Sequence, residues 1–203
     1  MTALVDVCLV DGLALPYVSG AETALAGTGL DPAFDAGWQA LATGFAGISL
    51  KPLFDALAQT PHTLVHGDYK FANLGSLAPT TMGADHPIAK EPRTIMLDWQ
   101  DATFGPPLLD LGYFLAIEAA RLPVTKDAVL EVYREELATA GHRPEARTWE
   151  RDVALGLLAG GAMRLLWQKA LRTQAADPAI CEQAQADLAW WSEQVVRARR
   201  WLA

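Results

Sequence analysis

Apolar residues recur at helical spacing in the first part of the chain after a weakly patterned start. The first predicted helix follows Asp31-Pro32, an N-cap followed by proline at the first helical position. Its apolar positions are Phe34, Trp38, Leu41 and Phe45. A second predicted helix begins after Ser49, carries Leu53 and Leu57 on one face, and ends before Pro61.

The part of the chain after Pro107 also has helical periodicity. An apolar helix is predicted over 108–122, and Thr125 is the predicted N-cap of the next one, with Gly141 just past its end. The residues predicted to face inward on that helix are Val129, Val132, Tyr133 and Leu137. The stretch 149–171 is apolar almost all round in its middle, which indicates a central buried helix. Asp177-Pro178 repeats the cap-and-proline signal and opens a last helix.

The region between residues 63 and 98 has a different pattern. Three short apolar runs, 63–65, 73–77 and 94–97, are predicted strands, and β-branched residues are frequent in the last. The segment PTTMGADHPIAKEPR lies before the third run and is rich in proline, glycine and charge, as long surface loops are. The predicted fold class is therefore α+β and mostly helical, with one small β insert.

Composition and charge exclude several classes of protein. The chain has 203 residues and a net charge of −8, so it lacks the basic surface that binds nucleic acid or anionic membranes. Cys8 and Cys181 lie far apart without metal-ligand spacing, which favours free thiols in a reducing compartment. No basic leader and no run of membrane-spanning length is evident, so a cytoplasmic protein is expected.

The polar residues of the β insert form a chemically coherent series. Asp68 follows a predicted strand, Asn73 comes five residues later, and Asp98 follows the third strand. Metal-dependent phosphoryl transfer needs one carboxylate to orient the attacking hydroxyl, and an amide oxygen and a second carboxylate to bind Mg²⁺. Mg²⁺ prefers oxygen ligands and keeps water and phosphate oxygens in its shell. The series predicts such a site.

The same residues resemble a known family. HGDYKFAN resembles the HxDxxxxN catalytic loop of the aminoglycoside phosphotransferase and choline kinase superfamily, which has a protein-kinase-like fold. IMLDWQDATFGPPLLDLGYFL resembles the metal-binding segment of that superfamily, in which a second Asp in a D-L pair follows about a dozen residues after the first. The sequences LDWQ and DLGYFL are similar to the corresponding segments of the ecdysteroid-kinase-like and acyl-CoA-dehydrogenase-associated branches of that superfamily.

The resemblance implies an ATP- and Mg²⁺-dependent kinase that phosphorylates a hydroxyl of a small molecule. It also implies a role for each matching residue: Asp68 as catalytic base, Lys70 as a catalytic cation near the transferred phosphate, Asn73 and Asp98 as metal ligands, and His66 and Asp110 as structural supports of the loop.

Several residues have simpler interpretations. His62 and His66 could form a zinc pair, but on a strand the four-residue spacing gives no helical i, i+4 face that would hold the two side chains next to each other. Lys70 could be merely solvated, and Arg164 could either snorkel or face a substrate cleft. Packing is the favoured role of the tryptophans of the last helix, Trp190, Trp191 and Trp201. Asp101 and Glu118 are assigned no role.

The nucleotide-binding lobe of such a kinase has no clear counterpart. No Gly-rich GxGxxG turn occurs, and the only lysine before Lys70 is Lys51, beside Pro52 in a helical context. Residues 31–203 are therefore assigned to the large C-terminal lobe, and residues 1–30 to a remnant of the small lobe or a hinge, with that lobe absent or reduced. A partner chain could complete the site. The alternative is a truncated or degenerate lobe, inactive alone, that serves as a binding or regulatory module or is a gene fragment.

Overall fold

The computed structural model of the protein describes residues 51–77, 93–163 and 175–202. Within these ranges it is mostly helical with small antiparallel sheets. The α-helices are α1 (Lys51–Leu57), α2 (Leu108–Glu118), α3 (Lys126–Thr139), α4 (Ala146–Gly156) and α5 (Pro178–Arg199). The strands are β1 (Thr63–Val65), β2 (Leu74–Leu77), β3 (Arg93–Met96) and β4 (Thr103–Gly105). The predicted helix after Asp31, the cap Ser49, the long loop, Arg164 and the division between residues 30 and 31 lie outside the described residues.

The predicted helix starts are confirmed by their capping bonds. Thr125 Oγ1 accepts the N–H of Ala128 at 3.2 Å at the start of α3. Asp177 Oδ1 accepts the N–H of Ala179 at 2.9 Å at the start of α5. The chain turns sharply after α3 at Gly141, where φ is +89°. Local sequence therefore determines where these helices begin and where α3 ends.

The core forms where α2 packs against α4 and its continuation. The predicted central helix begins as α4, and its last part, Leu157–Ala162, winds as a π-helix. Leu115, Leu155 and Leu157 are fully buried at this contact. Gly160 allows the close approach, because a Cβ there would overlap the Leu109 carbonyl oxygen and lie 2.8 Å from the Leu109 Cα. At Gly160, therefore, the backbone of the π-helix lies directly against the backbone of α2.

The last helix closes the other side of this core. Trp191 is 1% exposed and belongs to the core, while Trp190 and Trp201 pack against it. The indole N–H of Trp190 also lies 3.2 Å from the Asp127 carboxylate at the start of α3. Packing is thus the observed environment of the three tryptophans.

One inward position of α3 was predicted wrongly. Val132 is 57% exposed, whereas Leu130 is 8% exposed and belongs to the core. Successive helical residues are turned by about 100°, so Val132 lies roughly on the opposite side of the helix from Leu130. Val129 and Tyr133 flank Leu130 and pack against the core, as predicted.

The β insert consists of two separate antiparallel pairs rather than one sheet. β1 pairs with β4, with Leu64 opposite Phe104. β2 pairs with β3, with Leu74 opposite Met96. The three predicted strands are present, and β4 was not predicted. None of the helices in the described ranges has the length and apolar character needed to cross a membrane.

Candidate active site

The loop that follows β1 turns sharply into the predicted site. Val65 ends the strand in the interior, at 2% exposure, and Gly67 has φ +83°, a conformation that favours glycine. A Cβ on Gly67 would also overlap the backbone of Asp101 and lie 2.9 Å from the Asp101 Cβ. Gly67 therefore lets two loops touch, the one that carries Asp68 and the one that follows Asp98.

Asp110 connects this loop to α2. Its Oδ2 accepts the backbone N–H of His66 at 2.6 Å, and its Oδ1 accepts that of Gly67 at 2.9 Å. Both N–H groups follow the last paired residue of β1, so they need hydrogen-bond acceptors other than the backbone of β4. Asp110 lies in the first turn of α2, where a carboxylate interacts favourably with the helix dipole.

His66 connects the same loop to β3. The ring is 1% exposed; its Nδ1 accepts the N–H of Asp68 at 3.3 Å, and its Nε2 lies 2.7 Å from the Leu97 carbonyl oxygen. Since Nδ1 accepts, Nε2 carries the proton and donates it to Leu97. The ring of Trp99 lies 4.8 Å away, centroid to centroid. His66 thus joins the segments that carry Asp68 and Asp98.

The zinc alternative does not fit these contacts. The Nε2 of His62 lies 3.1 Å from the Leu57 carbonyl oxygen, so each histidine directs a ring nitrogen at a backbone oxygen. Among the described residues, no group of three or more His, Cys, Asp and Glu side chains could bind a metal ion. A magnesium site made of one amide and one carboxylate would take its other ligands from phosphate and water, so it needs no such group.

The Asp68 carboxylate is oriented by three neighbouring side chains. Its Oδ2 accepts hydrogen bonds from Lys70 Nζ at 2.6 Å and Asn73 Nδ2 at 3.0 Å, and its Oδ1 accepts one from the Tyr113 hydroxyl at 2.9 Å. A carboxylate has about four lone-pair positions, so one further donor can bind, on Oδ1. Lys70 is therefore ion-paired with the predicted base rather than merely solvated.

These bonds control the ionisation of Asp68. Burial alone would raise the pKa of the Asp68 carboxyl, but the hydrogen bonds from Lys70, Tyr113 and Asn73 outweigh it, and the pKa lies below its usual range. The hydrogen bond to Asp68 raises the pKa of Lys70, and the negative charge of Asp98 adds to that effect. At neutral pH the site therefore contains an ionised carboxylate and a charged ammonium group.

Asn73 and Asp98 arise from neighbouring points of two paired strands. The N–H of Leu97 donates to the Asn73 carbonyl oxygen at 2.8 Å, which extends the β2–β3 pairing by one step. Asp98 therefore follows the residue opposite Asn73. Opposite residues in an antiparallel pair lie about 5 Å apart between Cα atoms, so the two side chains begin close together.

The chemistry of these two side chains fits a magnesium ion. Asn73 is 7% exposed, and its Nδ2 donates to both the backbone and the side chain of Asp68, so Oδ1 is the amide atom that could bind a cation. Asp98 is exposed and supplies a carboxylate. Its backbone has the left-handed conformation, with φ 62° and ψ 63°. Both groups offer hard oxygen ligands and leave positions for phosphate and water.

Two residues at the site were not predicted. Tyr113 bonds the Asp68 carboxylate, and Glu118 accepts the backbone N–H of Phe71 at 2.9 Å, inside the same loop. A sequence signal did exist for Glu118. Asp110 and Glu118 are the two acidic residues of an otherwise apolar helix, and a carboxylate on such a helix needs a buried partner. Asp101, also left without a role, contributes its backbone to the contact with Gly67.

One comparison with known proteins identifies the family of this chain. The model of the phosphotransferase enzyme family (APH) matches residues 14–151, which is more than half of the chain and includes the loop, both strand pairs and α2. A search of curated proteins and a search of solved structures gave no significant match. The match confirms the resemblance to the aminoglycoside phosphotransferase and choline kinase superfamily, and the chain therefore belongs to the phosphotransferase enzyme family.

Proposed function

We propose that the protein transfers the γ-phosphate of ATP to a hydroxyl of a small molecule in a Mg²⁺-dependent reaction. The observation that carries the proposal is the Asp68 carboxylate. It is ionised and oriented by three side chains, with one acceptor position left on Oδ1. Family membership supports the same reaction class and does not favour the alternative of a non-catalytic module.

In the proposed reaction the acceptor hydroxyl donates its hydrogen bond to Asp68 Oδ1. The hydroxyl oxygen forms a bond to the γ-phosphorus, the bond from that phosphorus to the β–γ bridging oxygen breaks, and ADP leaves. Asp68 takes the proton as the new ester forms. Because its pKa is low, its main contribution is to orient the hydroxyl, and proton uptake comes late.

The remaining charges of the site stabilise the phosphates. Asn73 Oδ1 and the Asp98 carboxylate would bind Mg²⁺, which when bound would offset the negative charge of the phosphate oxygens. Lys70 lies 2.6 Å from Asp68 and is partly exposed, so its ammonium group could also reach a phosphate beside that carboxylate. The other contacts to the nucleotide would come from residues 1–30, assigned above to a remnant of the small lobe, or from a partner chain.

The direct test is phosphoryl transfer with a panel of small alcohols. The chain is incubated with Mg²⁺ and ATP, and ADP release and new phosphate esters are measured by ³¹P NMR. We expect a phosphomonoester to form with at least one acceptor. Excess EDTA should stop its formation, and added Mg²⁺ should restore it, because the oxygen ligands of the site require a hard divalent cation.

Asp98→Asn should raise the Mg²⁺ concentration needed for half-maximal rate. Asp55→Asn is the matched control, since Asp55 is a solvent-exposed carboxylate on α1 that pairs with Lys51 across the surface. The proposal fails if no alcohol is phosphorylated while Mg²⁺ and ATP bind, or if EDTA leaves the rate unchanged.

A further inference from the structure

Glu118 is a carboxylate in an unfavourable place. It is the last residue of α2, where the negative end of the helix dipole disfavours an acidic side chain, and it is only 2% exposed. A buried charge is retained only when paired and hydrogen-bonded. The hydrogen-bond partners of its two carboxylate oxygens therefore indicate its role.

Each oxygen of Glu118 has a specific partner. Oε1 accepts the backbone N–H of Phe71 at 2.9 Å, and Oε2 accepts Arg121 Nη1 at 2.8 Å. The Arg121 guanidinium in turn lies over the Phe71 ring, 5.2 Å from its centroid. Phe71 is therefore fixed through its backbone by Glu118 and through its ring by Arg121.

Phe71 is the first residue of the short 3₁₀ turn Phe71–Asn73. The residue before it, Lys70, gives this turn no side-chain cap, so the Glu118 carboxylate takes that role from another element. The turn ends on Asn73, whose N–H donates to the Lys70 carbonyl oxygen at 2.9 Å. The place of Phe71 therefore determines where the Asn73 side chain begins.

A single helix thus fixes the catalytic loop at two points. Asp110, in the first turn of α2, accepts the N–H groups of His66 and Gly67 before Asp68. Glu118, at the end of α2, accepts the N–H of Phe71 after it. Asp68 lies between the two points, and Asn73 follows the second.

We propose that Glu118 is a positioning residue that sets the place of Asn73 for metal binding, and that it acts through the Phe71 N–H. The inference rests on the proposed metal site at Asn73 and Asp98. The competing interpretation is an ordinary ion pair with Arg121 at a helix end, which would affect stability and leave the metal site unchanged.

The test measures metal binding without turnover. Binding of Mn²⁺ in the presence of ADP is followed by the EPR signal of free Mn²⁺, with thermal unfolding measured in parallel. Glu118→Ala removes the acceptor and should weaken Mn²⁺ binding about tenfold, as is common when a partner that orients a metal ligand is lost. Glu118→Gln keeps an oxygen for Phe71 and should bind Mn²⁺ within about twofold of the wild-type protein. The exposed Glu135→Gln on α3 is the charge-matched control.

A second variant removes the donor and keeps every side chain. Phenyllactate in place of Phe71 replaces the N–H by an ester oxygen, and it should weaken Mn²⁺ binding as Glu118→Ala does. This variant decides the question if Glu118→Ala does not fold. The inference is overturned if the ester, or a folded Glu118→Ala, binds Mn²⁺ like the wild-type protein, or if Glu118→Gln loses as much as Glu118→Ala.

The side-chain amide signals of Asn73 in ¹⁵N NMR separate this inference from the proposed function. We expect them to shift in the ester variant and to stay in place in Glu118→Gln, with no metal or nucleotide present. If the wild-type protein neither binds Mn²⁺ nor transfers phosphate, the proposed function fails, and these signals still report whether Glu118 positions Asn73. Unmoved signals in the ester variant would overturn the inference.

Discussion

Replacing Asp68 with asparagine is expected to lower the rate of phosphoryl transfer by about 100- to 10,000-fold, the usual contribution of a positioned general base. The amide has nearly the same shape, so it should not obstruct the substrate pocket. It cannot accept a proton, and its Nδ2 would face either Lys70 and Asn73 or Tyr113, all of which donate to the carboxylate. The loss should therefore fall on kcat, with a small effect on the KM for the acceptor.

The matched control for this variant is Asp55→Asn, which removes the same charge from an exposed position on α1. Rates are to be compared at saturating Mg²⁺ and ATP, with folding checked by circular dichroism. Equal rates for Asp68→Asn and the control would show that Asp68 is not the base. A rise in the acceptor KM alone would assign Asp68 to binding.

Gly160→Ala is expected to lower the free energy of unfolding by about 3 kcal/mol or more, at the upper end of overpacking effects. The added Cβ would overlap the Leu109 carbonyl oxygen and lie 2.8 Å from Leu109 Cα. Both obstacles are backbone, so no side-chain rotamer can relieve them, and α2 would have to move away from the π-helix. Denaturant unfolding followed by tryptophan fluorescence measures the change.

Gly105→Ala is the matched control for this variant. A Cβ at Gly105 would lie 3.6 Å from Leu109 Cδ1 and 3.7 Å from Val65 Cγ2, which are ordinary contacts. Its effect should stay below about 1 kcal/mol, because the added Cβ fits without displacing its neighbours. Similar losses for the two variants would contradict the close packing of α2 on the π-helix. Since α2 also carries Asp110, phosphoryl transfer should fall in Gly160→Ala beyond what the unfolded fraction explains.

Sequence reasoning could predict the parts of this fold that depend on near neighbours. The caps Thr125 and Asp177 act on residues two or three positions away, so the local sequence contains the whole signal. The series Asp68, Asn73 and Asp98 could likewise be recognised, because the catalytic loop and the strands that flank it lie in one stretch of the sequence. Their roles stay predictions until variants are measured.

The features that sequence reasoning did not predict depend on contacts between residues far apart in the chain. β4 has three residues and exists through its pairing with β1, some forty positions earlier. The hydrogen bonds of Tyr113 to Asp68 and of Glu118 to Phe71 span similar separations. Val132 was predicted to face inward because it is an apolar residue of a periodic helix. The elements that pack against α3 instead bury the face that contains Leu130. Tertiary contact, rather than local preference, determines these features.

The left-handed backbone at Asp98 has an evolutionary consequence. With φ at 62°, this position suits glycine, and aspartate there costs a fraction of the roughly 1–2 kcal/mol that other residues lose in that region. Selection for thermal stability alone should therefore replace Asp98 by glycine early, while selection for phosphoryl transfer should retain it. A library evolved under each pressure in turn would reveal whether this carboxylate is maintained for the chemistry and against the preference of its own backbone.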